Sequence, residues 1–171
     1  MSEQSPNAAA NGAASSTAQG PQVQLQKIFL KDASVEVPGA PMIFTKPFQP
    51  KVDVQLNTDV TSLGNNTHQV VVSATVTAKQ EEDVAYLVEI QMAGLLTVQN
   101  AKDGVETQAI LGAWAPNQMF PFLRETVNDF VQRAGFPPFL MQPVNFDAAF
   151  RDHLAQQQKQ GAAAEQAGPT H

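Results

Sequence analysis

Three successive runs of alternating apolar and polar residues occupy residues 51–98, and they decide most of what this chain can fold into. In the first run Val52, Val54, Leu56 and Val60 share one parity, while Asp53, Gln55, Asn57 and Asp59 share the other. That is the pattern of a strand with one wet face. Gly64-Asn65-Asn66 follows, a tripeptide that tolerates positive φ. Val70, Val72, Ala74, Val76 and Ala78 then resume the pattern against Ser73, Thr75 and Thr77. After a second turn at 79–83, Val84, Tyr86, Val88, Ile90 and Met92 share a face, with Leu87, Glu89 and Gln91 opposite, running to about Val98. Connections this short cannot carry a parallel crossover, so the runs form an antiparallel meander.

An earlier run, 23–37, alternates as well, with Ala33, Val35 and Val37 opposing Asp32, Ser34 and Glu36. It makes a fourth strand. Between it and the meander lie Pro38, Pro41, Pro47 and Pro50, which exclude a central strand and predict a long, stiff, extended crossover loop displaying Met42, Phe44 and Phe48. Beyond residue 98 the period changes. Residues 107–114 suit a short helix that Pro116-Asn117 interrupts. From Phe120, the residues Leu123, Val127, Phe130, Val131 and Ala134 follow helical spacing, with Gly135 as the stop. Pro121 fits only a first turn or a kink. A last helix starts at Asn145, a good N-cap, with Phe146, Ala149, Phe150 and Leu154 on one stripe. The expected class is α+β: a four-stranded antiparallel sheet with a long proline-rich crossover loop and helices packed on one face.

Of the 171 residues, those before Val23 include no Val, Ile, Leu or aromatic side chain. Nothing there offsets the entropy of ordering, so 1–22 is expected to be a disordered tail, 23–158 the folded domain and 159–171 a flexible tail. The absence of Cys excludes thiolate metal sites and thiol nucleophiles. Sixteen carboxylates against ten basic side chains argue against nucleic acid as a partner. His68, His153 and His171 have no metal-ligand spacing, and no nucleophile, phosphate-loop or dinucleotide motif is present, so no catalytic set and no metal site are expected. No apolar run approaches a membrane span, and the N-terminus has neither a basic nor an apolar segment of the secretory kind, which predicts a cytoplasmic protein without direct membrane insertion. The ten Phe and five Met are the richer inventory. A proline-stiffened loop and the last helix, both carrying Phe, would make the walls of an apolar groove able to accept many extended sequences.

The segments LKDASVEVPGAP, PFQP, LGAWAPNQMFPFLRE and PVNFDAAF, in this order, resemble the SecB protein-export chaperones from about Val23 to Gln158. The resemblance implies a homotetramer, a dimer of dimers. It implies binding of non-native, unfolded precursor proteins in the cytoplasm and their delivery to the SecA ATPase, with no nucleotide or other cofactor. It implies a SecA-binding sheet face at Asp32, Glu36, Leu87 and Glu89, which the parity of their strands places together on a wet face. It implies a client groove at Phe44, Phe48, Val52, Val54, Leu56, Phe146 and Phe150. On that reading, Asp at both Phe44 and Phe146 removes client capture and leaves the fold intact. The alternative is a SecB-like holdase serving another system, such as a toxin and antitoxin pair, with the same groove and a changed acidic face.

Overall fold

The computed structural model describes residues 20–166. Four strands, β1 (Gln22–Glu36), β2 (Lys51–Gly64), β3 (Thr67–Gln80) and β4 (Asp83–Gln99), form one antiparallel sheet in the order β1-β4-β3-β2. The β2–β3 turn rests on Asn65 and Asn66, with φ of 50° and 57°, the double positive φ that matches the twist of a two-residue hairpin. Register follows the parity expected from the alternation: Val54 pairs with Val76 and Leu56 with Ala74, then Val76 with Val88 and Ala74 with Ile90. Slipping by one residue would turn every one of these side chains to water.

Because β1 lies beside β4, residues 37–50 must return past the ends of two strands to start β2, as in a Greek key. That path covers three strand spacings, about 14 Å, far less than an extended chain of this length reaches. The slack is coiled. Met42–Thr45 forms a 3-10 turn that buries Ile43, where the prolines alone predicted an extended path. Lys46 pairs with Asp83 at 3.3 Å, and the Gln49 N–H donates to Gln80 Oε1 at 3.2 Å, so the loop is tied to the β3–β4 end of the sheet.

The helices depart further from expectation. α1 (Gly104–Ala109) starts earlier than residue 107, because Asp103 accepts the Glu106 N–H at 2.8 Å as its N-cap. Pro116-Asn117 does not interrupt the run. A π-helical turn, Ile110–Trp114, passes directly into α2 (Ala115–Arg133), the Ala115 N–H reaching back to the Ile110 carbonyl. Proline has no N–H and crowds the carbonyl four residues back; the extra residue of a π turn just ahead of Pro116 shifts that ladder. Pro121, on the exposed side, lies inside α2 rather than in a first turn. Gly135 does stop the helix, at φ 94°: its N–H bonds Gln132 O at 3.0 Å and the Phe136 N–H bonds Val131 O at 3.2 Å, a Schellman motif.

Met119, Leu123, Val127 and Val131 of α2 are buried, and the helix packs on β3 and β4. Each such side chain stabilises by about 1.5–3 kcal/mol. Gly94 of β4 admits this helix, since a Cβ there would lie 2.8 Å from Met119 Sδ. α3 (Phe146–Gln166) starts at the expected cap, Asn145 Oδ1 accepting the Ala148 N–H at 2.9 Å. It continues into the segment expected to be a flexible tail from 159. Of the two expected tails, residues 1–19 and 167–171 lie outside the described residues.

Candidate functional site

α2 covers the two central strands and leaves the edge strand β2 largely uncovered; of the helical segments, chiefly the π turn touches it. The apolar parity of β2 is therefore open, with Val52 38%, Val54 39% and Val60 46% exposed. At one end of this row a cavity of about 490 Å³ is walled by Leu56 and Val60 of β2, Leu111 and Gly112 of the π turn, and Phe146 and Phe150 of α3. Gln108, His153 and Gln157 stand on its polar rim, where the Gln157 amide and the His153 ring lie 2.8 Å apart. At the other end the Schellman stop of α2 drives Phe136 into the core. Its ring centroid lies 5.2 Å from Phe44, 5.1 Å from Phe48 and 4.9 Å from Tyr86. Gly135 leaves room for this packing, a Cβ there lying 3.2 Å from Phe44 Cε1. Burial of Tyr86 pushes its hydroxyl pKa above the ordinary 10.0.

The seven expected groove residues thus fall into three places. Leu56, Phe146 and Phe150 meet at the cavity, Phe44 and Phe48 meet on Phe136, and Val52 and Val54 lie along β2 between them. Phe146 is only 5% exposed, its ring 5.5 Å from Phe120. Asp at Phe146 would bury a charge under α3, which corrects the expectation that a Phe44 and Phe146 double substitution spares the fold. Leu111 and Gly112 escaped notice because helical spacing carries no signal for a π turn.

On the opposite sheet face, the rows at the acidic end of β1 are mostly polar. Glu36 pairs with Leu87, Ser34 with Glu89 and Asp32 with Gln91 across β1 and β4, while Leu87, Glu89 and Gln91 pair with Thr77, Thr75 and Ser73 across β3 and β4. The four residues expected on this face are therefore together. Ser34 Oγ donates to Glu89 Oε2 at 3.5 Å; Asp32, Glu36 and Glu89 are exposed and Leu87 is half-buried among them. None of these positions is Lys or Arg, so these rows carry three carboxylates and no basic side chain of their own. A neighbouring row, Phe29, Ala93 and Val71, is apolar on the same face. It was missed because register shifts at Leu25/Lys27 and Leu30/Asp32 reverse the parity of β1. Among the described residues no group of three or more His, Asp or Glu is placed to share a metal ion, and no helix is long and apolar enough to cross a membrane.

Residues 16–157 match the family described as preprotein translocase subunit SecB. The chain belongs to the SecB family. The protein-export protein SecB of Alcanivorax borkumensis is 46% identical over 144 residues, covering 82% of this chain and 91% of its own length. That of Alkalilimnicola ehrlichii is 39% identical over 176 residues, covering 98% and 93%. A Mycobacterium tuberculosis SecB-like chaperone, solved in complex with a ChAD peptide from the HigA1 antitoxin, has the same fold. Its TM-score is 0.60 at 19% identity, over 71% of this chain and 90% of that one. In this SecB family member, LKDASVEVPGAP spans the acidic end of β1 and enters the crossover loop, LGAWAPNQMFPFLRE spans the π turn and the first half of α2, and PVNFDAAF opens α3.

Proposed function

We propose that this protein is an ATP-independent cytoplasmic holdase that binds non-native precursor proteins, keeps them export-competent and delivers them to SecA at the translocon. The observation that carries this reading is the open apolar row of β2 with the cavity beside it. An extended, unfolded segment suits this place: its side chains enter the row, and the outward N–H and C=O groups of β2, an edge strand among the described residues, offer hydrogen bonds independent of sequence. Binding the unfolded chain and not the native one favours the unfolded state by mass action. Each contact is weak, and a client that wraps over several subunits raises the effective concentration of the next contact. A homotetramer, a dimer of dimers, supplies those subunits. It is supported by Trp114 and Phe122, large apolar side chains left 39% and 53% exposed on the helical layer among the described residues.

Asp32, Glu36, Leu87 and Glu89 are the SecA contacts in this reading, a carboxylate-rich surface suited to a basic or metal-bearing partner. The export reading is preferred to service in a toxin and antitoxin system because the relatives at 39–46% identity are protein-export proteins, whereas the toxin-linked structure shares the fold alone. Calorimetric titration with SecA, alongside suppression of aggregation of a urea-unfolded precursor, tests the proposal. Glu89→Lys is expected to lower SecA affinity at least fivefold and leave suppression unchanged. Wild-type protein that suppresses aggregation but ignores SecA would favour the other client system, and a monomer by light scattering would remove the multivalent mechanism.

A further inference from the structure

We propose that Gly112 is a positioning residue: it leaves a notch in the π turn that receives the Phe150 ring, and this seat sets how far α3 stands from β2 and which client side chains the cavity admits. The client half of this inference rests on the groove reading above; the seat of α3 does not.

A Cβ built on Gly112 would lie 2.6 Å from Phe150 Cδ2 and 2.8 Å from Cε2, closer than real Cβ atoms approach. The backbone does not itself call for glycine, since only Gly64 and Gly135 have positive φ among the described glycines. In a helical segment glycine costs about 0.5–1 kcal/mol relative to alanine, and the compensation visible here is room for the ring. The placement matters because α3 packs chiefly on the π turn. Its first turn is held by the Phe120–Phe146 ring contact at 5.5 Å and by the Asn117 amide donating to Asp147 Oδ2 at 3.2 Å. Phe150 lies one turn further on and fixes the tilt. Both Gly112 and Phe150 line the cavity, so a methyl at 112 must displace this ring and change the cavity wall that α3 provides. The π turn supplies the notch where a regular helix would present a different side chain to α3.

The test measures amide hydrogen exchange of the client-free protein, then affinities for two fluorescent extended peptides that differ only in carrying Leu or Trp at their apolar anchors. Gly112→Ala is expected to speed exchange in residues 147–158 at least tenfold while β3 and β4 keep wild-type protection, and to shift the Leu-to-Trp affinity ratio at least fivefold toward Trp. Gly112→Ala with Phe150→Leu is expected to return both to within twofold of wild type. Should Gly112→Ala unfold, Phe150→Ala alone must speed exchange of α3 with the sheet unchanged. Wild-type exchange in α3 for either single variant, or no rescue by the double variant, overturns the proposal. An exchange change with an unaltered peptide ratio overturns the selectivity part. If neither peptide binds wild type, the groove reading fails, while exchange still decides whether Gly112 seats α3.

Discussion

The two ends of the β2 row use the same kinds of residue for different ends. At the aromatic end, Phe44, Phe48 and Tyr86 all close on Phe136, each centroid within 5.2 Å of it, and Phe136 is itself fixed by the stop of α2. At the cavity end Phe146 is buried, but Phe150 is half-buried against about 490 Å³ of open space. A ring backed by other rings is structure with one exposed edge. A ring backed by a glycine notch and space is a wall that can accommodate what enters. The groove is therefore rigid where the crossover loop is anchored and adaptable where α3 stands over β2.

The largest effect should come from breaking the rigid end. Phe136→Ala removes the hub of the aromatic packing and leaves a cavity under the loop, which should destabilise by about 3–5 kcal/mol, read from denaturant midpoints. A loss below about 1 kcal/mol would mean the rings are not mutually supporting and would erase the difference between the ends. Phe150→Asp should behave in the opposite sense. Its partly exposed position limits the stability loss to about 1–2 kcal/mol, while affinity for an unfolded precursor falls tenfold or more. Full client affinity in that variant would move the binding wall away from α3.

A pH test sharpens the rigid end alone. Burial raises the Tyr86 pKa above 10.0 in the folded state, so the unfolded chain releases that proton first as pH rises. The neutral hydroxyl costs nothing below about pH 10, and stability should fall as pH rises from there toward the raised folded value. Tyr86→Phe should flatten that part of the unfolding-pH curve, measured by denaturant midpoints from pH 8 upward. An unchanged alkaline slope would place the aromatic end in contact with water.

What the sequence disclosed tracks how local the determining physics is. The β2–β4 meander was legible because a half-buried strand must alternate, and Gly64-Asn65-Asn66 marks its turn. The acidic positions on β1 and β4 were legible from the same parity. The apolar band at Phe29 was not, because two register shifts in β1 reverse the parity without leaving a residue type that announces them. Nor was the continuity of the helix through Pro116, since proline rules are written for regular helices and the π turn is an exception to them. The division of the groove was least legible of all: whether Phe44 or Phe150 has rings or space behind it depends on where the stop of α2 delivers Phe136.

The smallest effect separates the two ends most directly. Phe44 is 49% exposed and touches the aromatic end through one ring contact and the face of Gly135. An aromatic pair contributes about 0.5–1.5 kcal/mol beyond area burial, so Phe44→Ala should cost about 1–2 kcal/mol, less than Phe136→Ala because the hub and its other partners stay in place. If the rigid end only anchors the loop, client affinity should change less than threefold, and Phe44→Leu should recover most of the stability. A client loss equal to that of Phe150→Asp, with stability unchanged, would show that the exposed edge of Phe44 binds as strongly as the cavity does. The row would then be one continuous site whose rigid half grips and whose open half adapts, and the loop would be a client wall in its own right.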